Sequence, residues 1–270
     1  MLKEYLTSIA DSIRAKLDTT EKINAQDYAD KISEVYDVGY AKGAEENSGG
    51  GAELARSIVD GTITEYVDEE ITSIKDYTFY KCNTLARVDL PLVTMLGSNT
   101  FYECGNLEFI NIPLTTGIGG NGFRSCKKIG VADFPLATSV GNYAFYQCSA
   151  LTTINMPSVT TIGSNGFYNC LNLKFMDFYS LEKIGSYAFN SGGLTTLILR
   201  KSDGICVLDA TNALASTGIS KGTGYIYVPS ALIDTYKSAT NWSTYAAQFR
   251  ALEDYTVDGT ITGELDESKI

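Results

Sequence analysis

The 270-residue chain contains no histidine, one tryptophan and five prolines. Without an imidazole there is no Ser-His-Asp or Cys-His catalysis and no His-containing zinc site. No C-x-x-C pair occurs among the six cysteines, so zinc-type thiolate spacing is missing as well. No run approaches the ~20 apolar residues of a membrane span. Positive charge is scarce: 21 Lys and Arg stand against 32 Asp and Glu, a net charge of −11. Phosphate backbones need a cationic surface, so the balance argues against a nucleic-acid partner. Nothing in the chain calls for a metal, a cofactor or a catalytic residue.

What is present is a chain that can bury a core, 44% hydrophobic, with 18 Tyr and 25 Gly. The length allows one elongated body or two domains. The acidity is concentrated at the ends. Residues 1–46 carry 6 basic and 10 acidic side chains, and residues 251–270 carry 1 and 6.

The organising signal is a period of 22. Phe79, Phe101, Phe123, Phe145, Phe167 and Phe189 share it, and Cys82, Cys104, Cys126, Cys148 and Cys170 follow three residues behind. Gly97, Gly119, Gly141, Gly163 and Gly185 repeat in step, as do Leu90, Ile112, Phe134, Met156 and Phe178. Four of the five prolines, Pro91, Pro113, Pro135 and Pro157, keep the same spacing. A unit this short cannot bury itself, but stacked units share a continuous core, which is a solenoid. L-x-x-I-x-Φ reads as a short strand: in 151–156, Leu151, Ile154 and Met156 point inward and Thr153 and Asn155 outward. Proline ends the strand, and Gly163 is expected to permit the turn that follows.

The order Pro157, Val159, Ile162, Gly163, Phe167, Cys170, Leu173 resembles the BspA-like leucine-rich repeat family. The resemblance covers about residues 70–200 and implies a leucine-rich-repeat solenoid of short strands and turns. For function it implies a binding scaffold. A degenerate first coil is expected over 61–84, and the one-residue slip at Asn190–Leu194 is expected to mark the last.

Around the solenoid (61–200) the sequence predicts further parts. Leu2, Leu6, Ile9, Ile13 and Leu17 line one helical face, and Asn24 can cap a second helix carrying Tyr28, Ile32 and Val35. Residues 1–46 therefore read as a helical pair, either packed on the solenoid's edge or serving to dock or self-associate. This segment resembles N-terminal pieces of phage and prophage structural proteins of gut bacteria. A Gly-rich linker and entry strand span 47–60. A C-terminal α+β cap spans 201–252, with a strand at 225–228, a helix capped at Ser230, and Trp242 and Phe249 plugging the last coil. An acidic tail spans 253–270. The phrase Val-Asp-Gly-Thr-Ile-Thr occurs at 59–64 and again at 257–262, consistent with an exchange contact or simply with a common turn.

Two surfaces are candidates for binding. The outward strand positions vary while the core repeats: Arg87, Asp89, Phe109, Asn111, Val131, Asp133, Thr153, Asn155, Phe175, Asp177, Thr196 and Ile198. An exposed Phe is costly without a partner. The second surface is a column, Tyr80, Tyr102, Tyr146 and Tyr168, with Arg124 in the third rung. It reads either as a stabilising stack or as a contact for sugar or protein. The cysteines read as buried thiols acting as small hydrophobes. Together these features lead to a non-enzymatic protein that presents a recognition face to a bacterial surface protein or glycan. It is carried on a phage or prophage particle, made in the cytoplasm and released, or else it is a cell-surface adhesin. If residues 1–46 self-associate, light scattering will give the full chain a higher mass than a chain starting at Gly51. Equal masses per chain would remove that role.

Overall fold

The computed structural model describes residues 57–58 and 61–254, together with the backbone of 256–257 and 260–261. The expected helical pair over 1–46, most of the linker and most of the acidic tail lie outside the described residues. The remainder winds into coils that repeat through two parallel strand ladders and a third, turn-rich column.

The first ladder holds the strands the sequence predicts. Glu65 pairs with Arg87 and Arg87 with Phe109, each one 22-residue step along. Val131 pairs with Thr153, and Phe175 with Thr196 across the slipped step. The degenerate first coil is therefore a paired member of the stack. The ladder also continues past residue 200, because Tyr225–Val228 and Phe249–Ala251 of the cap add to it in parallel. The second ladder joins Ser73–Ile74 to Met95–Leu96, and Ser139–Val140 through Thr161–Ile162 and Lys183–Ile184 to Val207–Leu208. Each strand is only two to four residues long, so its stability comes from stacking between coils rather than from strand length.

The third column follows a different rule. The Phe79, Phe101 and Phe123 N–H groups donate to the carbonyls of Thr100, Gly122 and Ala144 at 2.8–2.9 Å. The residues on either side of each Phe, two positions away, are left-handed: Asn99 and Glu103, Asn121 and Ser125, Tyr143 and Gln147, Asn165 and Asn169, with φ between 54° and 59° or 61° at Ser125. Left-handed backbone costs an L-residue about 1–2 kcal/mol. Hydrogen bonds offset it: each of these residues donates its N–H to the next coil, and Asn99, Asn121, Tyr143 and Asn165 also accept from the residue three positions on. Tyr143 N–H donates to Ser164 of the next coil at 2.9 Å, and Tyr143 C=O accepts from Tyr146 at 3.2 Å.

Inside, the Phe rings stack one per coil, with centroids 5.2–5.4 Å apart and planes within 12°. The cysteine column lies beside them. Cys104, Cys126, Cys148 and Cys170 each donate their S–H to the Phe carbonyl 25 residues earlier, at 2.9–3.1 Å. These thiols are thus hydrogen-bond donors as well as small apolar fillers.

The repeated glycine does not have the expected role. The column Gly97, Gly119, Gly141, Gly163 and Gly185 is not left-handed. It is needed because the previous coil's backbone passes too close. A Cβ on Gly163 would meet the Asn142 amide nitrogen at 2.6 Å, and one on Gly119 would meet the Gly97 carbonyl oxygen at 2.7 Å. The turn conformation falls instead to the left-handed pair around each Phe.

The cap closes the core with Tyr236, Trp242 and Phe249, whose ring centroids lie 5.3–5.8 Å apart. Trp242 Nε1 donates to the Cys206 carbonyl at 2.7 Å, and the Cys206 N–H donates to Tyr236 Oη at 2.9 Å. Ser230 starts a short 3₁₀ turn before the helix Ile233–Ser238 but does not cap it with its side chain. Its hydroxyl donates to the Glu253 carboxylate instead, at 3.0 Å. The two copies of the repeated phrase are engaged locally. Thr256–Val257 pairs antiparallel with Thr260–Ile261, whereas Thr62 donates its N–H to Ser57 C=O.

The close-approach account gives a paired prediction. Gly141→Ala puts a Cβ within 2.8 Å of three backbone atoms of the previous coil and will cost about 1–3 kcal/mol in denaturant unfolding, the usual range for overpacking. Gly130→Ala meets no atom within 4 Å and will be neutral. Equal losses at both sites would refute the account.

Candidate binding surfaces

The strand face is built from the outward positions of the first ladder. Its acidic residues have partners. Asn111 Nδ2 donates to Asp89 at 2.7 Å and Asn155 Nδ2 to Asp133 at 2.9 Å. Arg200 grips Asp177 with two nitrogens, at 2.8 and 2.9 Å. The alternation of Asp and Asn along the chain is therefore a coil-to-coil hydrogen-bond pattern. Burial pushes the Asp177 carboxyl up, and Arg200 pulls it back down.

Two expected outward positions are covered. Ile198 is buried, although it lies outside the continuous core; its ladder neighbours are Asp177 and Tyr227. Asp177 is half-buried through its ion pair, with both charged side chains 9% exposed. The other candidates remain available. Phe109 and Phe175 are each 42% exposed and Val131 is 62% exposed. Arg87 lies over the Phe109 ring at 4.1 Å and ion-pairs with Asp89 at 2.5 Å. Thr153 is exposed, and Thr196 and Asn155 are half-buried.

Phe109 and Val131 line a groove of about 630 Å³ with Glu108, Lys127, Lys128 and Gly130. The sequence explains why it opens there. The core slot held by Val88, Ile110 and Met176 in other coils is Ala132 in this one, and Gly130 carries no side chain to fill the rim. The first ladder divides at the same place: Phe109–Asn111 ends one sheet and Val131–Asp133 begins the next. Lys128 pairs with Glu108 across the opening at 2.9 Å. Lys127, Lys128 and Glu108 were not recognisable as site residues from the sequence. Their only signal was the Gly130–Ala132 departure from the repeat.

The tyrosine column lies elsewhere on the coil. Tyr80 stacks on Tyr102 at 4.8 Å and Tyr146 on Tyr168 at 4.9 Å. Arg124 bridges the two pairs, 5.4 Å from Tyr102 and 4.7 Å from Tyr146. All five are half-buried. Tyr77 and Tyr143 flank the column, at 5.6 Å from Tyr80 and 5.7 Å from Tyr146. Within the column ring faces are covered by neighbouring rungs. The column thus offers ring edges, hydroxyls and a guanidinium rather than open aromatic platforms.

Two further columns run along the coils. Thr94, Thr116, Thr138 and Thr160 each donate a hydroxyl to the carbonyl of the threonine 22 residues earlier, at 3.0–3.2 Å. Leu92, Leu114 and Leu136 form an exposed apolar stripe just after the prolines.

The thiols do not form a reactive site. All six are buried and free. Burial pushes every one of them up, to about 12 for Cys170 and Cys206. Among the described residues no group of three or more His, Cys, Asp or Glu could hold a metal ion. No helix among them is long and apolar enough to cross a membrane.

The repeats that build these columns and ladders match a known family. The BspA type leucine rich repeat region matches residues 62–130 and 138–207, in six copies. The chain belongs to this family. Two solved structures are similar to this BspA-type chain. One is a leucine-rich repeat protein from Bacteroides ovatus ATCC 8483, at 17% identity over 62% of this chain and 55% of that one, with a TM-score of 0.40. The other is a leucine rich cell surface protein from Faecalibacterium prausnitzii A2-165, at 18% identity over 62% of this chain and 58% of that one, with a TM-score of 0.35. The chain thus spans less than two thirds of either protein. No curated protein matches it. Over residues 62–207 the BspA-type repeats form a repeat scaffold.

The buried thiols make stability depend on alkaline pH. A thiol that ionises at ~8.5 unfolded but near 12 folded favours the unfolded chain once pH passes the lower value. Its contribution is intact below pH ~8.5 and is lost progressively toward pH 12. We expect the thermal midpoint to fall over that window, and a maleimide at pH 7.5 to label the thiols only in denaturant. Rapid native labelling of Cys126 would contradict the burial.

Proposed function

We propose that the protein is a binding scaffold of the BspA type that works at a bacterial cell surface and presents its first-ladder strand face to a protein or glycan. The observation that carries this reading is a constant core bearing a varied face that keeps Phe109, Val131 and Phe175 in solvent. Contiguous exposed apolar surface commonly marks a contact site, and Phe109 and Val131 adjoin in one groove. The groove beside Phe109 supplies a concavity. Arg87, Asp89, Asn111, Asp133, Asn155 and Asp177 surround these apolar points with a hydrogen-bonded polar frame. An apolar centre inside a polar rim is the usual anatomy of a protein interface.

In this reading the chain divides as the sequence suggests: a docking or oligomerising segment over 1–46, a linker over 47–60, the solenoid, a cap over 201–252 and an acidic tail. A place on a phage or prophage particle is the second reading. It rests on the resemblance of residues 1–46, which lie outside the family match at 62–207. The surface-scaffold reading needs only the repeats and takes precedence.

The test is binding of labelled full-length protein to an array of bacterial surface proteins and glycans. The double variant Phe109→Ser/Phe175→Ser is expected to lose at least tenfold in affinity for the best binder while the chain stays folded with a cooperative thermal transition, since both rings are 42% exposed and lie outside the core. Unchanged affinity would remove the strand face as the contact. Protease treatment of intact cells separates the two locations, because a surface scaffold is cleaved and a protein found only in induced particles is not.

A further inference from the structure

Arg124 is the one cation in a column otherwise made of tyrosines, and its chemistry is only partly used. Its guanidinium lies against Tyr102, Tyr143 and Tyr146 at 5.4, 5.4 and 4.7 Å. Stacking of this kind engages the plane of the group and leaves its N–H edge available. A guanidinium carries five N–H donors, and the protein partner of Arg124 is Asn121 Oδ1, at a long 3.3 Å. Among the described residues it forms no ion pair. The other arginines of the solenoid and cap are more fully engaged: Arg87 is committed to Asp89 and Arg200 to Asp177, and Arg250, stacked on Tyr225, donates to the Phe249 and Ala247 carbonyls at 2.7 and 3.0 Å. Glu103, on the adjoining column, is paired with Lys81 at 3.7 Å.

We propose that Arg124 and its tyrosine frame form a recognition point for the carboxylate of an acidic glycan. The inference deepens the binding-scaffold reading and rests on it, but uses a different surface from the strand face. A planar fork of this kind is suited to bidentate capture of a carboxylate. Three aromatic neighbours hold the fork in place, so little side-chain freedom remains to be lost on binding. The tyrosines on either side repeat at 4.8–4.9 Å, which sets a row of hydroxyls along the coil axis beside the cation. Such a row pairs with the hydroxyls of an extended chain of sugars. Arg124 lines neither of the two apolar-walled grooves, the one with Phe109 and Val131 or the one with Tyr77, Met95 and Leu96, so no apolar socket for a peptide side chain adjoins its fork there. The surface therefore favours a carboxylated sugar over an acidic peptide.

The repeat supplies an unusually clean variant. Arg124→Tyr installs the residue that the other four rungs already carry, so the column and the fold are retained while the charge is removed. Calorimetric titration of the full chain would use oligogalacturonate, hyaluronan oligomers and sialyllactose, with the methyl ester of oligogalacturonate as the neutral control. A glutamate-rich peptide of equal charge is the comparator. At least one carboxylated glycan is expected to bind, with affinity falling tenfold or more for the ester and for Arg124→Tyr. Arg124→Lys, which keeps charge but loses the fork, is expected to recover part of the loss at most. Phe109→Ser/Phe175→Ser is expected to bind these glycans like the parent chain. No binding to any of the three, equal binding by Arg124→Tyr, or tighter binding of the peptide would each overturn the assignment. Strand-face binding that survives in Arg124→Tyr would show that the broader scaffold reading stands when this one fails.

Discussion

The distance from one coil to the next governs this molecule. Phe rings stacked at 5.2–5.4 Å fix it in the core, and three sets of backbone hydrogen bonds fix it around the perimeter. Parallel strands lie ~4.8 Å apart, so the rings tolerate the strand spacing only by stacking offset, which aromatic pairs prefer in any case. At that pitch there is no room for a Cβ in the glycine column. Each repeated residue type is a consequence of the pitch: Phe fills the interior, Cys reaches back to a Phe carbonyl, Gly yields to the neighbouring backbone, and Thr closes the outer edge.

The same pitch explains why groups that suggest chemistry carry none. Five thiols in register resemble a redox or metal array, yet four of them donate to carbonyls and all are buried. Carboxylates recurring on one face resemble an acid–base pair. Asp89, Asp133 and Asp177 are instead each held by the following coil. A stacked architecture brings like residues together whether or not they act together, so proximity within a column is weak evidence for function.

Most of the fold could be read from residue identity, because the core positions demand the same residue every time. Where the structure demands a conformation instead, identity gives no clue. The left-handed positions are filled by Tyr77, Asn99, Asn121, Tyr143, Asn165 and Tyr187 in turn, so no single residue type marks the column. The glycine column is plain in the sequence but its cause is not, since glycine answers equally to a turn and to a close approach. The threonine column was visible too, but hydrophobic periodicity does not register a polar residue. Ile198 misled for a third reason: strand alternation places it outward, and burial of the outer face near Asp177 and Tyr227 is a tertiary event.

Departures from the repeat are more informative than the repeat. The coil over 119–140 collects several of them. Ala132 replaces a larger core residue while Phe134 enlarges the next slot, where its ring reaches Phe123 at 5.6 Å and Phe145 at 5.9 Å. The core is thereby refilled from one side, and the groove opens on the other, next to Phe109 and Val131. On the turn-rich side of the same coil, Arg124 takes a tyrosine's place. Neither change improves stacking. Ala132 gives up buried apolar area worth about 25 cal/mol per Å², and Arg124 brings a charge into a half-buried aromatic column. A scaffold whose other rungs serve the pitch keeps two costly exceptions in one coil, on two different faces. Under the proposed binding role, that coincidence points to the middle of the solenoid, rather than its ends, as the place of contact.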